Sequence, residues 1–177
     1  MRGKDPMPFD LLYWNADSTR MAAANHSFYL RNCYMKNALS RGEMVLDGKT
    51  VSLRDVTIPI YNLAAKEDHI APARSVFTGC SYFGGDDVQF VMSGSGHIAG
   101  VVNPPALNKY QYWTNGKPVG DFDAWVAAAK ETPGSWWPHW HDWAAGLDDR
   151  QVTARRPGAR GMPVLGDAPG TYVTVRV

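Results

Sequence analysis

Residues 58–105 read IPIYNLAAKEDHIAPARSVFTGCSYFGGDDVQFVMSGSGHIAGVVNPP. Two apolar runs in this stretch decide the fold. The first, Ile58 to Ala64, leads into the charged turn Lys66-Glu67-Asp68-His69. The second, Val88 to Met92, ends in the small-residue loop Gly94-Ser95-Gly96, followed by His97. Between them, Pro72 opens a helical pattern that closes at Gly84-Gly85. Its residues Val76, Phe77, Cys80 and Phe83 form the stripe that packs on a sheet. Strand, crossover helix, strand is a βαβ unit, whose two strands run parallel and end on one sheet edge. An acid and a histidine 29 residues apart are therefore expected side by side at that edge.

Working outward, an acid after one strand and a histidine after a later one follow a known order. It is the back half of a nucleophile–acid–histidine triad as arranged in α/β-hydrolases. The chain has 177 residues, 45% apolar and 20% charged, which is ordinary soluble composition for about one domain. A whole hydrolase sheet needs more strands than the sequence shows. The expected fold class is thus α/β, an α/β-hydrolase fold represented by its C-terminal portion: the last strands with the acid and histidine loops. Three segments are expected: 1–55, the catalytic-domain portion 56–146, and an Arg/Gly/Pro-rich tail 147–177. A net charge of +1 argues against nucleic acid as the main partner. No apolar run approaches the roughly 18 residues of a membrane span, and the first residues lack a signal-peptide apolar region. Cys33 and Cys80 make no metal or disulfide pattern, so a cytoplasmic compartment fits.

Six blocks resemble the polyhydroxyalkanoate synthases. KEDHIAP (66–72) and GSGHIAGVVNPP (94–105) are similar to that family's aspartate and histidine segments. PFDLLYWNADSTRM (8–21), FYLRNCY (28–34) and PGSWWPHW (133–140) agree as well, in family order, and APGTYV (168–173) resembles the class I and II synthases. Ala22 departs from the proline usual in the family after Met21. The larger departure is the nucleophile. These synthases use a cysteine in a G-x-C-x-G elbow upstream of the acid. Here Gly96/Gly100, Gly116/Gly120 and Gly166/Gly170 enclose Ile98, Pro118 and Ala168, and never a Cys or Ser.

The resemblance implies acyl transfer without a metal or resident cofactor. An (R)-3-hydroxyacyl-CoA thioester is the substrate, coenzyme A leaves, and a growing polyester is the product. It also implies that segment 1–55 is cap-like or lid-like, part of the cap over the active site, that the enzyme associates with a polymer granule surface, and that it is a homodimer when full length. In such a triad the imidazole takes the thiol proton and the aspartate holds the imidazole's tautomer. His97, on a flexible small-residue loop, is the candidate base. Asp68 is the candidate acid in preference to its neighbour Glu67, because the family's aspartate falls there. His69 is a candidate for the substrate entrance and Asn103 for substrate binding; Arg31, off the helix's apolar face, reads either as a solvated charge or structural salt bridge or as a phosphate or pantetheine contact of coenzyme A. Two other functions compete. One is an esterase or polymer depolymerase, which an upstream G-x-S-x-G would favour. The other is a non-catalytic granule-binding remnant.

The rest of the chain reads more simply. Residues 1–24 read as packed loop. Asn25 is a fair N-cap for a helix to about Leu39, with Leu30, Cys33, Tyr34 and Ala38 on one face and Cys33 as a core residue. Asp47-Gly48 within residues 43–53 signals a hairpin. Cys80 falls on the crossover helix's buried stripe and after the acid, the wrong order for the nucleophile. A helix is expected from Asp121 to about Lys130, capped by Asp121 or Asp123. Another follows Pro138 and presents Trp136, Trp140 and Trp143 on a docking face. His139 and His141, two apart, do not face each other on a helix and make no metal site. Residues 147–170 read as an extended tail, and Tyr172–Val177 alternates like an edge strand.

Overall fold

The computed structural model describes residues 18, 20–156, 158, 161–171 and 174–175. The PFDLLYWNADSTRM block and the 1–24 loop lie almost wholly outside the described residues. So does the Tyr172–Val177 strand, except for Thr174 and Val175. The chain forms two units, Met1–Pro138 and His139–Val177.

In chain order the first element among the described residues is helix α1, Ala23–Tyr29, which runs into a wide π-turn, Leu30–Met35. A hairpin of β1, Met44–Leu46, and β2, Lys49–Val51, follows. Its Asp47 and Gly48 have φ of 47° and 72°. Two consecutive left-handed residues make the twisted two-residue turn that Asp-Gly favours. Then come β3, Ile60–Ala65, α2, Ala73–Cys80, and β4, Val88–Ser93. Next are β5, Gln111–Thr114, α3, Phe122–Ala128, and β6, Lys130–Pro133. Helix α4, Trp137–Ala145, runs into the second unit. Beyond it the described residues of 147–171 are exposed and carry no regular helix or strand.

The fold is mixed α/β. A four-stranded sheet runs in the order β3-β4-β5-β6. β3 and β4 are parallel, paired from Ile60↔Val88 to Ala65↔Ser93, as the βαβ reading requires. β5 and β6 add antiparallel strands, with Met92↔Trp113 and Trp113↔Glu131. β3 starts two residues later than the apolar run suggests. Pro59 has no N–H for a ladder, and Ile58 is exposed. α2 ends at Cys80, short of Gly84, yet Phe83 still packs on the core. The two glycines serve a close crossing. A Cβ on Gly84 would lie 1.8 Å from the Arg54 carbonyl oxygen, and both their N–H groups donate to the Val56 carbonyl.

One sheet face carries the core: Ala64, Val88, Phe90, Met92 and Trp113, covered by Phe77, Cys80 and Trp125. The Phe77 and Phe90 rings meet edge to face at 5.2 Å, and Phe90 and Trp125 at 4.9 Å. Each buried aromatic of this kind contributes a few kcal/mol of burial. Cys80 is buried as the sequence indicates. Asn62 Nδ2 donates to its sulfur at 3.1 Å, and burial pushes the thiol up from its ordinary value. α3 is capped by Asp121, whose Oδ1 accepts from the Asp123 and Ala124 N–H groups.

Two helix expectations are corrected. The helix from Asn25 to Leu39 is instead a short α-helix capped at Ala22 and a π-turn. Its expected buried face is mostly open: Leu30 and Tyr34 are exposed, Cys33 is half-buried, and only Ala38 is buried. Three- and four-residue spacing does not survive the five-residue bonding of a π-turn, which rotates successive side chains off a common stripe. The helix assigned to Asp121–Lys130 stops at Ala128, because Lys130 turns into β6. Trp136 lies one residue before α4, so it shares no helical face with Trp140 and Trp143.

Candidate active site

β3 and β4 end together, and their ladder continues into the two loops. Lys66 N–H donates to the Ser93 carbonyl at 2.8 Å, and Glu67 N–H to the Ser95 carbonyl at 3.0 Å. These bonds carry the parallel register past the strand ends and bring the acid loop against the histidine loop. Asp68 Oδ1 then accepts the N–H groups of Ile70 (2.8 Å) and Ala71 (2.9 Å), folding its side chain over the turn that opens α2. Its other oxygen, Oδ2, is 2.7 Å from His97 Nδ1.

Asp68 has a side chain only 7% exposed, while that of His97 is 47% exposed. Burial acts to raise the Asp68 carboxyl. The Ala71 N–H, the His97 ring and the Ile70 N–H outweigh it and hold the carboxyl below its ordinary range. Asp68 is therefore ionised at neutral pH and can only accept. In the neutral ring the proton of the shared bond sits on Nδ1, which leaves the lone pair on Nε2 of a half-exposed side chain. A fixed imidazole with an open Nε2 can take a proton from a group brought to it and share the resulting charge with the carboxylate.

The histidine loop is pinned, which corrects the expectation of a flexible one. Gly94 N–H donates to the Gln111 carbonyl at 2.7 Å. Ser95 holds a left-handed φ of 68°. Residues from His97 form a helical turn, with Gly100 N–H to the Gly96 carbonyl and Val102 N–H to the Ile98 carbonyl, both 2.8 Å. The small residues serve close packing. A Cβ on Gly100 would lie 2.7 Å from both Ala65 Cβ and the Gly94 carbonyl oxygen.

The other candidates are placed differently. Glu67 is exposed and meets the histidine loop through its backbone. His69 is exposed on the turn beside Asp68. Asn103 is 3% exposed; its Nδ2 donates to the Lys109 carbonyl at 2.9 Å, and its Oδ1 is buried without a hydrogen-bond partner. Its position is that of a loop brace, not of a side chain presented at the surface. Arg31 is exposed on the π-turn, and no hydrogen bond or ion pair among the described residues joins it to Asp68 or His97.

Sequence reasoning missed the supports of the pair. Lys66 Nζ lies 4.3 Å over the Trp113 ring, whose Nε1 donates to Glu131 Oε2 at 3.1 Å. This ties the acid loop to β5 and β6. Reading Gln111-Tyr112-Trp113-Thr114 as a strand would have exposed it, since such residues suit strands. The sequence places Trp136 only on a docking face with Trp140 and Trp143, and Trp137 only within the PGSWWPHW block.

Comparison with known proteins bears on this pair. No family model matches the chain. The chain is 68% identical over 176 residues to "Poly(3-hydroxyalkanoate) polymerase subunit PhaC" of Rhizobium meliloti (strain 1021), covering 99% of this chain and 28% of that protein. Its counterpart in Rhizobium etli is 62% identical, again over 99% of this chain and 28% of the relative. The subunit from Cupriavidus necator is 38% identical over 99% of this chain and 30% of that protein. The chain thus spans less than a third of the length of the relatives it matches.

Proposed function

We propose a function from one premise: over 99% of its length this chain belongs to the poly(3-hydroxyalkanoate) polymerase family. The chain contributes the acid and the base of an acyl-transfer site, with His97 as general base and Asp68 as the residue that orients it. The 2.7 Å bond between Asp68 Oδ2 and His97 Nδ1 carries this reading. Its setting, at the ends of two parallel strands, supports an α/β-hydrolase-type fold. On this reading residues 1–55 belong to a cap, 56–146 to the catalytic body and 147–177 to a tail.

The nucleophile is a cysteine thiol from outside these residues. Cys80 is buried and bonded to Asn62, and Cys33 sits on the π-turn. His97 Nε2 takes the thiol proton, and the thiolate attacks the carbonyl of an (R)-3-hydroxyacyl-CoA. The C–S bond to coenzyme A breaks, and the departing thiolate takes the proton from the His97 imidazolium, which returns to the neutral base. The hydroxyl of one acyl unit then attacks the thioester of another, with His97 accepting its proton; the C–S bond of that thioester breaks, the released thiolate takes the proton back from His97, and the polyester lengthens by one ester bond. The ionised Asp68 carboxylate stabilises the imidazolium at each stage. The chemistry needs the CoA thioester as substrate and no metal or resident cofactor. His69, exposed beside Asp68, lines the entrance, and Arg31 serves the coenzyme A phosphates from the cap. Asn103 acts on substrate only through the loop that it braces. The whole enzyme works as a homodimer in the cytoplasm at the surface of its polymer granules. Among the described residues, no helix is long and apolar enough to cross a membrane.

The test is a chimera in which this chain replaces the matching segment of the Rhizobium meliloti relative. It should release coenzyme A from (R)-3-hydroxyacyl-CoA, and His97→Ala should lower turnover by about 10³-fold or more. Turnover retained within tenfold would contradict the base assignment.

A further inference from the structure

Two indoles are attached to the turn that carries His97. Trp136 Nε1 donates to the carbonyls of Gly100 (3.1 Å) and Val101 (3.2 Å). Trp137 Nε1 donates to the same Val101 carbonyl at 2.9 Å. These carbonyls close the single helical turn that begins at His97. A turn that short has end carbonyls with no partner of its own, and here the indoles supply it. The Trp136 ring also packs against Tyr61 of β3, with ring centroids 6.1 Å apart. Tyr61 lies on the sheet face opposite the aromatic core, four residues before the end of the strand that delivers Asp68. Trp136 thus touches the strand carrying the acid and the turn carrying the base.

The two indoles have a fixed footing. Gly134, at φ 91°, donates its N–H to the Tyr110 carbonyl at 2.9 Å. Trp137 N–H donates to Ser135 Oγ at 3.1 Å, and Ser135 is buried. The pair therefore leaves the end of β6 at a set angle. A lone buried tryptophan finds one acceptor wherever it can. Two adjacent indoles converging on the last carbonyls of one turn do more than satisfy themselves.

We propose that Trp136 and Trp137 are positioning residues for His97: their indole N–H groups clamp the Gly100 and Val101 carbonyls and so hold the imidazole in line with Asp68. The proposal rests on the reading of His97 as the base. Losing the clamp lets the turn drift, and a drift of a fraction of an ångström degrades proton transfer more than substrate binding.

The test uses Trp136→Phe, Trp137→Phe and the pair in the chimera. A second set replaces each tryptophan by benzothienylalanine, which keeps the ring shape and lacks the N–H. For the pair we expect kcat to fall about tenfold, with KM and the melting midpoint nearly unchanged and benzothienylalanine behaving like phenylalanine. In the chain itself, amide exchange should speed up at Gly100, Val101 and Val102 and not at Phe90 to Met92. Unchanged kcat with unchanged exchange in that turn would overturn the proposal. A kcat loss that only tracks a lowered melting midpoint would overturn it too. His97→Ala in the same background separates the two claims. If it abolishes turnover while the tryptophan variants do nothing, the clamp is wrong and the base stands. If His97→Ala leaves turnover intact, the base assignment falls and the clamp's role falls with it.

Discussion

Asp68 Oδ2 and His97 Nδ1 meet at 2.7 Å although 29 residues separate them. What closes that gap is the parallel pairing of β3 and β4, which stays in register to Ala65↔Ser93 and continues through Lys66 and Glu67 into the loops. The other Asp68 oxygen is committed to two backbone N–H groups, so the carboxylate is oriented before it meets the imidazole.

That orientation has a pH signature. The Asp68 carboxyl is held below its ordinary range, with the two N–H bonds and His97 outweighing burial. A carboxyl lowered on folding adds stability that is fully present above its unfolded value, about 3.9, and is lost as pH falls through the folded one. Melting midpoints of the native chain and of Asp68→Asn, followed from pH 6 to pH 2.5 (range chosen to bracket that value), should differ most at the high end and converge at the low end. A gap that stays constant with pH would contradict the assignment of these bonds to the ionised form.

Gly100 tests the tightness of the histidine turn. Gly100→Ala places a methyl 2.7 Å from Ala65 Cβ and 2.8 Å from the Gly96 carbonyl oxygen, so backbone must move. A loss of about 1–3 kcal/mol is expected in denaturant unfolding. Gly116→Ala is the control, since nothing lies within 4 Å of its new Cβ. Equal behaviour of the two variants would show that the turn is loose.

The sheet's support rests on Phe90, which is 1% exposed between Phe77 and Trp125. Phe90→Ala should cost about 3–5 kcal/mol. Ile58→Ala, at an exposed side chain ahead of β3, should stay within about 0.5 kcal/mol. Chemical denaturation of the two variants reads this directly, and a small loss at Phe90 would mean that the core is not where the structure has it.

The acid, the histidine and their common edge were legible because long apolar runs and the crossover helix between them leave little topological choice. β5 and β6 were not. Gln111–Thr114 and Lys130–Pro133 are four residues each and take their strand character from pairing with β4 and with each other. Lys130-Glu131 reads locally as the end of a helix, and only the register with Thr114 and Trp113 makes it a strand. The π-turn was hidden for a similar reason, since apolar spacing in Leu30–Met35 does not announce its hydrogen-bond ring size. Asn103 stands in a segment rich in site residues, and nothing local tells a buried brace from a ligand contact. Trp136 was hidden by a helical spacing that extends past the helix: α4 starts at Trp137, and Trp136, just before it, bonds instead to the histidine turn.

The most direct measurement compares Asp68→Asn with Glu67→Gln for coenzyme A release by the chimera. Glu67 is exposed and reaches the histidine loop only through its N–H, which glutamine keeps. Asp68→Asn replaces the ionised acceptor of the His97 Nδ1–H by an amide that forces the wrong tautomer or breaks the bond. The account predicts a fall in kcat of about 10³-fold or more for Asp68→Asn, and a change within about threefold for Glu67→Gln. Near-normal turnover in Asp68→Asn, or a greater loss in Glu67→Gln, would contradict it.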